Sequence, residues 1–128
     1  MSLLRLVAEH EAAHVVVAAA LGVTVRRAVI NTLGQGRTLH DGTDSTADAA
    51  AITAAGDVWN QRLGVVPYQD LACLDLQTFE REHGLGKLWQ ANRTAHRILS
   101  EERSLVLALA ERLVGERDIT FDGTPAAA

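Results

Sequence analysis

Residues 8–22 read AEHEAAHVVVAAALG, an alanine- and valine-rich run whose composition predicts a buried helix. Two histidines and a glutamate, His10, Glu11 and His14, nevertheless lie in its middle. An imidazole or carboxylate placed in an apolar interior without a partner costs several kcal/mol. The fold of this chain must therefore supply something for these three side chains to bind.

The direction in which the histidines point follows from the spacing of the apolar residues around them. Ser2 can cap a first helix that runs to Leu21 and ends at Gly22, a residue that tolerates the left-handed conformation. Alternating steps of three and four residues along its apolar positions land on His10 and His14. Both imidazoles are therefore expected on the buried face.

The rest of the chain predicts a mainly α-helical fold with one small β-hairpin, an α+β domain. The expected elements are a strand over Val23 to Asn31, a turn over Leu33 to Gly36 and a return strand over Arg37 to His40. They are followed by a helix that Asp44, Ser45 or Thr46 can cap and that runs to Leu63, closed by Gly64, a helix from Gln69 or Asp70 to about His83, and a helical stretch from Lys87 to Gly115 with a break near Ser100. Gly56, inside the second helix, predicts a close helix contact.

Length and charge restrict the class of protein. The 128 residues suit one domain, which we place over residues 1–116 with residues 117–128 as a C-terminal tail. Twelve basic and sixteen acidic side chains give a net charge of −4, which argues against nucleic acid as a partner. The apolar run is too short to span a membrane, and the single cysteine, Cys73, fits a cytoplasmic protein.

His10 to His14 form the pattern H-E-x-x-H, and its spacing has a mechanical reason. Four residues are about one helical turn, so both imidazoles can reach one zinc ion while Glu11 lies beside them as a general base for peptide hydrolysis. A catalytic zinc needs a third protein ligand. The alternative is a pair of core histidines that are satisfied by hydrogen bonds.

The run LVAEHEAAHVVVAAALGVTVRRAVINTLGQGRTLHDG resembles the opening of the peptidase domain of FtsH-type zinc proteases, a helix with H-E-A-G-H followed by a strand, a turn and an edge strand. The ending LALAERLVGERDITFDG is similar to that family's closing helix and tail. This resemblance implies a compact zincin-like peptidase domain that binds Zn²⁺. It also implies that the third zinc ligand is an aspartate near the start of a later helix, followed by a large apolar residue. Two positions match this pattern, Asp70-Leu71 and Asp75-Leu76. We favour Asp70 because it follows Pro67 at the expected helix start.

The chain departs from that family at two points. Ala13 stands where the family has glycine, and no G-x-x-x-x-G-K-[ST] phosphate-binding loop is present. The expected substrates are therefore unfolded or short peptides, with an unfolding ATPase on another chain as the possible partner. Each peptide would lie extended along the edge strand Arg37 to His40. The alternative is an inactive metal-binding interaction domain of the same fold.

Overall fold

The computed structural model describes residues 3–64 and 73–121, with the backbone alone for residues 73–76. The elements in chain order are α1 (Leu3–Ala20), β1 (Val25–Ile30), β2 (Gly36–His40), α2 (Thr46–Val58), a π-helical turn (Trp59–Leu63), α3 (Cys73–His83), a 3₁₀ turn (Leu85–Lys87), α4 (Leu88–Glu101), α5 (Arg103–Glu116) and β3 (Asp118–Thr120). The fold is mainly α-helical with a small antiparallel sheet, as the sequence predicts.

Helix α1 is the centre of the core. Thirteen of its 18 residues are buried, because α2 and α5 pack against it and the sheet covers a further side. Alanine and valine suit this position, since small side chains let neighbouring helices approach closely. A helix that is apolar all round, as this one is apart from its ionisable residues, is expected to be enclosed in this way.

The sheet has the strand order β2-β1-β3, and both pairings are antiparallel. Ala28 in the middle strand lies opposite Thr38 on one side and Ile119 on the other. The hairpin turn is held by Asn31, whose Oδ1 accepts hydrogen bonds from two backbone N–H groups, and by Gly34 at φ +84°.

Strand β3 corrects the predicted C-terminal boundary. The sequence places the residues after Glu116 in a tail, but Asp118–Thr120 pair with β1 and bury Ile119 in the core. The chain enters this strand through Arg117, which ends α5 in the left-handed conformation at φ 66°. The hairpin thus becomes a three-stranded sheet. Residues 122–128 of the predicted tail lie outside the described residues.

Helix ends largely follow the predicted signals. Ser45 caps α2 by accepting a hydrogen bond from the backbone N–H of Asp48, and Gly64 ends the π-helical turn. Helix α3 ends at His83 and Gly84 as expected, whereas its predicted start at Gln69 or Asp70 lies outside the described residues. The break in the last helical stretch falls at Glu102, two residues beyond Ser100.

Candidate functional site

The two histidines of the H-E-x-x-H pattern lie together on α1, on the side that faces α2. His10 is buried, with 8% of its surface exposed, and His14 is half-buried. Their ring centroids are 4.9 Å apart, and the two Nε2 atoms are 3.3 Å apart. The prediction that both imidazoles point inward is confirmed.

The opposite nitrogen of each ring faces a hydrogen-bond acceptor on α2 or on the turn that follows it. His10 Nδ1 lies 2.5 Å from Asn60 Oδ1, and His14 Nδ1 lies 2.7 Å from the carbonyl oxygen of Ile52. Because oxygens of this kind only accept, each Nδ1 carries the proton and donates. In a neutral ring this leaves a lone pair on Nε2, so the two lone pairs are directed into the same small space.

This arrangement fits two ligands of a zinc ion. Nitrogen ligands lie about 2.0–2.1 Å from zinc, and two of them on a tetrahedral ion are about 3.3–3.4 Å apart. The observed Nε2 separation is 3.3 Å. Donation from the distal ring nitrogen to an oxygen is also the usual way in which a protein orients a ligating histidine.

The structure describes neither of the two aspartates predicted as a third ligand in full. Asp70 lies outside the described residues, and of Asp75 only the backbone is described. The part of the chain that the structure describes contains no group of three His, Cys, Asp or Glu side chains suited to a metal. Asp75 is nevertheless a helical residue of α3, and helical periodicity places positions 75, 78 and 82 on one face.

Glu11 is held between α1 and strand β2. Its carboxylate Oε1 accepts a 2.7 Å hydrogen bond from the Thr38 hydroxyl, and only 7% of the residue is exposed. Gly36 provides the space for it, since a Cβ atom at that position would lie 2.6 Å from Glu11 Cγ. Glu11 and the half-buried His14 line the same cleft.

That cleft has a volume of about 480 Å³ and lies between β2, α2 and α3. Its lining residues include Glu11 and His14 of α1, Thr38 and His40 of β2, and Glu82 of α3. Within the described residues β2 is an edge strand, because its only neighbour in the sheet is β1. The prediction that Arg37 to His40 form an edge strand is thus confirmed for the described residues.

Gly56 makes the contact that its position in a helix predicts, and the partner is His10. A Cβ atom on Gly56 would overlap the imidazole, with His10 Nδ1 at 2.7 Å and the ring atoms Cε1 and Nε2 closer still. The backbone of α2 therefore packs directly against the ring. Any larger side chain at this position must displace His10.

Two groups around the site were missed by sequence reasoning. Asn60 orients His10. It reaches the ring because α2 continues as a π-helical turn, which contains Asn60. Glu9 is fully buried and accepts hydrogen bonds from Trp59 Nε1 at 2.7 Å and from Arg5 Nε at 2.8 Å. The sequence did carry a signal for Glu9, since it is a glutamate in an otherwise apolar run next to the H-E-x-x-H motif.

Two of the three remaining histidines have ordinary surroundings. His83 ends α3, as predicted, and its Nε2 lies 3.0 Å from the Thr53 hydroxyl. His40, to which the sequence assigns no role, lines the cleft with its Nδ1 2.8 Å from the carbonyl oxygen of Asp41. Neither adds a second cluster of possible ligands among the described residues.

Comparison with known proteins adds no assignment, since no protein-family model and no curated protein sequence matches the chain. Among the described residues, no helix combines the length and the hydropathy needed to cross a membrane.

Proposed function

We propose that this chain is a zinc-dependent peptidase domain of the FtsH type. The observation that carries the proposal is the paired geometry of His10 and His14. Their Nε2 atoms converge at 3.3 Å while both Nδ1 atoms donate to oxygens, and the Glu11 carboxylate lies beside them in an open cleft.

The protein's own residues would divide the work as follows. His10, His14 and one aspartate would hold the ion, which when bound would supply Lewis acidity to activate a water. Glu11 would take the proton from the attacking water and deliver it to the leaving amine. The Thr38 hydroxyl fixes Oε1 of that carboxylate, which keeps the base oriented toward the cleft.

The edge strand defines the expected substrate. A peptide can add to β2 by backbone hydrogen bonds only when it is extended. The substrates are therefore unfolded or short peptides, as the sequence predicts. A separate unfoldase would be the source of such segments from folded proteins. The single cysteine favours the cytoplasm as the compartment.

The third ligand is Asp70 or Asp75, and the structure bears on the choice only through the register of α3. Thr78 and Glu82 line the cleft, and position 75 shares their helix face. This register supports Asp75, whereas the expected helix start after Pro67 supports Asp70.

Zinc titrations of Asp70→Ala and Asp75→Ala separate the two aspartates. Loss of the true ligand should weaken binding by about 100-fold or more, because two histidines leave the ion underligated. The other variant should stay within about threefold of the wild type. If neither substitution changes zinc affinity, an aspartate ligand from this segment is refuted.

Peptidase activity is tested with zinc-loaded wild type and Glu11→Gln on a fluorescently labelled unfolded protein. Glutamine keeps the shape of the side chain but not the base, so cleavage should fall by about 100-fold or more while the metal content is retained. Glu82→Gln, in the same cleft, is the matched control and should remain within a few-fold of the wild type. A zinc-loaded wild type that cleaves nothing would favour the alternative, a metal-binding interaction domain.

A further inference from the structure

Glu9 is a buried carboxylate that the proposed peptidase chemistry does not use. None of its surface is exposed, and it lies directly before His10 in α1. Its Oε1 accepts a 2.7 Å hydrogen bond from Trp59 Nε1, and its Oε2 accepts a 2.8 Å hydrogen bond from Arg5 Nε. A buried carboxylate is costly unless its oxygens are satisfied, and here each oxygen has a donor. The carboxylate is therefore a fixed point beside the histidine.

The tryptophan that donates to Glu9 begins the π-helical turn (Trp59–Leu63), which also carries Asn60. Two adjacent residues of α1 thus contact two adjacent residues of this turn. The pairs are Glu9 with Trp59 and His10 with Asn60. Trp59 is fully buried, so its indole holds the first residue of the turn in the core. Local departures from α-helical geometry of this kind frequently occur at functional sites.

The backbone at the end of the turn closes over the hydrogen bond between Glu9 and Trp59. A Cβ atom on Gly64, which follows the turn, would lie 3.1 Å from Trp59 Nε1 and 3.2 Å from Glu9 Oε1. These distances leave little room for a side chain at this position. The turn is therefore anchored to Glu9 at its first residue and packed against the same hydrogen bond at its end.

Asn60 depends on this anchor for its position. Its Oδ1 lies 2.5 Å from His10 Nδ1, whereas its Nδ2 is buried and has no hydrogen-bond partner among the described residues. Within that part of the chain only the imidazole holds the amide, so the backbone of the turn decides where the amide lies. Hydrogen bonds of this kind extend to about 3.2 Å, so a shift of the turn by about 1 Å would break the contact.

We propose that Glu9 and Trp59 are positioning residues for the candidate metal centre. Their hydrogen bond fixes the π-helical turn, and the turn places Asn60 against His10. Asn60 then keeps the proton of that imidazole on Nδ1, which leaves Nε2 to bind a metal. The role in metal binding rests on the proposed function, whereas the effect on the imidazole proton requires no bound ion. The alternative is a clamp that stabilises the fold without acting on His10.

A double-mutant cycle with Trp59→Phe and Asn60→Ala tests the proposal. Phenylalanine keeps an aromatic ring and the net charge but removes the N–H that donates to Glu9. Each single variant should bind zinc about tenfold more weakly than the wild type, as expected when a group that orients a ligand is lost. The double variant should bind zinc no more weakly than Asn60→Ala alone, because both changes act through the same contact with His10.

The position of the imidazole proton is measured in the metal-free protein by ¹⁵N NMR. The wild type should hold the His10 proton on Nδ1, and Trp59→Phe should shift the population toward the form protonated on Nε2. Val106→Ala, which removes buried methyl groups from α5, is the control for general destabilisation. It should change neither the His10 tautomer nor the zinc affinity.

Three results would overturn the inference. The first is a Trp59→Phe variant with the His10 tautomer and the zinc affinity of the wild type. The second is a double variant whose two losses of zinc affinity add to about 100-fold, as independent effects do. The third is an equal loss of zinc affinity in Val106→Ala. A wild type that binds no zinc, with a His10 tautomer that still responds to Trp59→Phe, would support the positioning and refute the metal centre.

Discussion

Replacement of Gly56 by alanine probes the packing of α2 against the face of α1 that carries His10 and His14. A Cβ atom would stand 2.7 Å from His10 Nδ1 and closer to two other ring atoms. Ordinary carbon contacts are about 3.5–4.0 Å, so the imidazole would have to move by about 1 Å. The ring cannot move without breaking its 2.5 Å contact with Asn60.

The free energy of unfolding gives the magnitude. Alanine in place of a helical glycine contributes up to about 1 kcal/mol. Overpacking costs about 1–3 kcal/mol, and loss of the Asn60 hydrogen bond costs about 1 kcal/mol more. Gly56→Ala should therefore destabilise the protein by about 1–3 kcal/mol, measured by urea unfolding of the metal-free protein. Zinc affinity should fall by at least tenfold, as expected when the orientation of a ligand is disturbed.

The matched control is Gly115→Ala in α5. A Cβ atom at that position meets nothing within 4 Å, so only the gain in helix propensity remains and stability should rise by up to about 1 kcal/mol. If Gly56→Ala is stabilised to the same extent and binds zinc as tightly as the wild type, the packing argument is wrong.

Three further substitutions test other parts of the structure. Trp59→Phe removes the indole N–H that donates to buried Glu9 and should cost about 1–3 kcal/mol in urea unfolding. Thr38→Val removes the hydroxyl bound to the proposed base and should lower peptide cleavage by about tenfold with zinc affinity unchanged. The hydrogen bond from Arg27 holds the pKa of Asp118 below its usual range. The ion pair therefore stabilises β3 at pH values above the usual aspartate pKa, and this stabilisation is lost as the pH falls through the lowered pKa. Arg27→Ala should raise the pKa of Asp118 in an NMR titration.

Local signals in the sequence predict much of the fold. The cap at Ser45, the glycine that ends the π-helical turn and the turn residues of the hairpin all occur where the structure uses them. The inward direction of the histidines also follows from helical spacing alone. Each of these features is decided within a few residues, which is why pattern and propensity suffice.

The missed features depend on contacts between distant segments. Strand β3 has three residues, too few for a periodic signal, and it exists because β1 offers an open edge to pair with. The burial of Glu9 depends on Trp59, fifty residues away. The contact of Asn60 with His10 requires the π-helical turn, because the turn changes which side chain of the helix faces the ring.

Zinc titration into metal-free protein, with His14→Ala beside the wild type, tests the central claim most directly. The wild type should bind one zinc ion per chain with submicromolar affinity, and removal of the second imidazole should weaken binding by about 100-fold or more. A wild type that binds no zinc, or a His14→Ala variant that binds it equally well, would contradict the claim that these converging imidazoles form a metal centre.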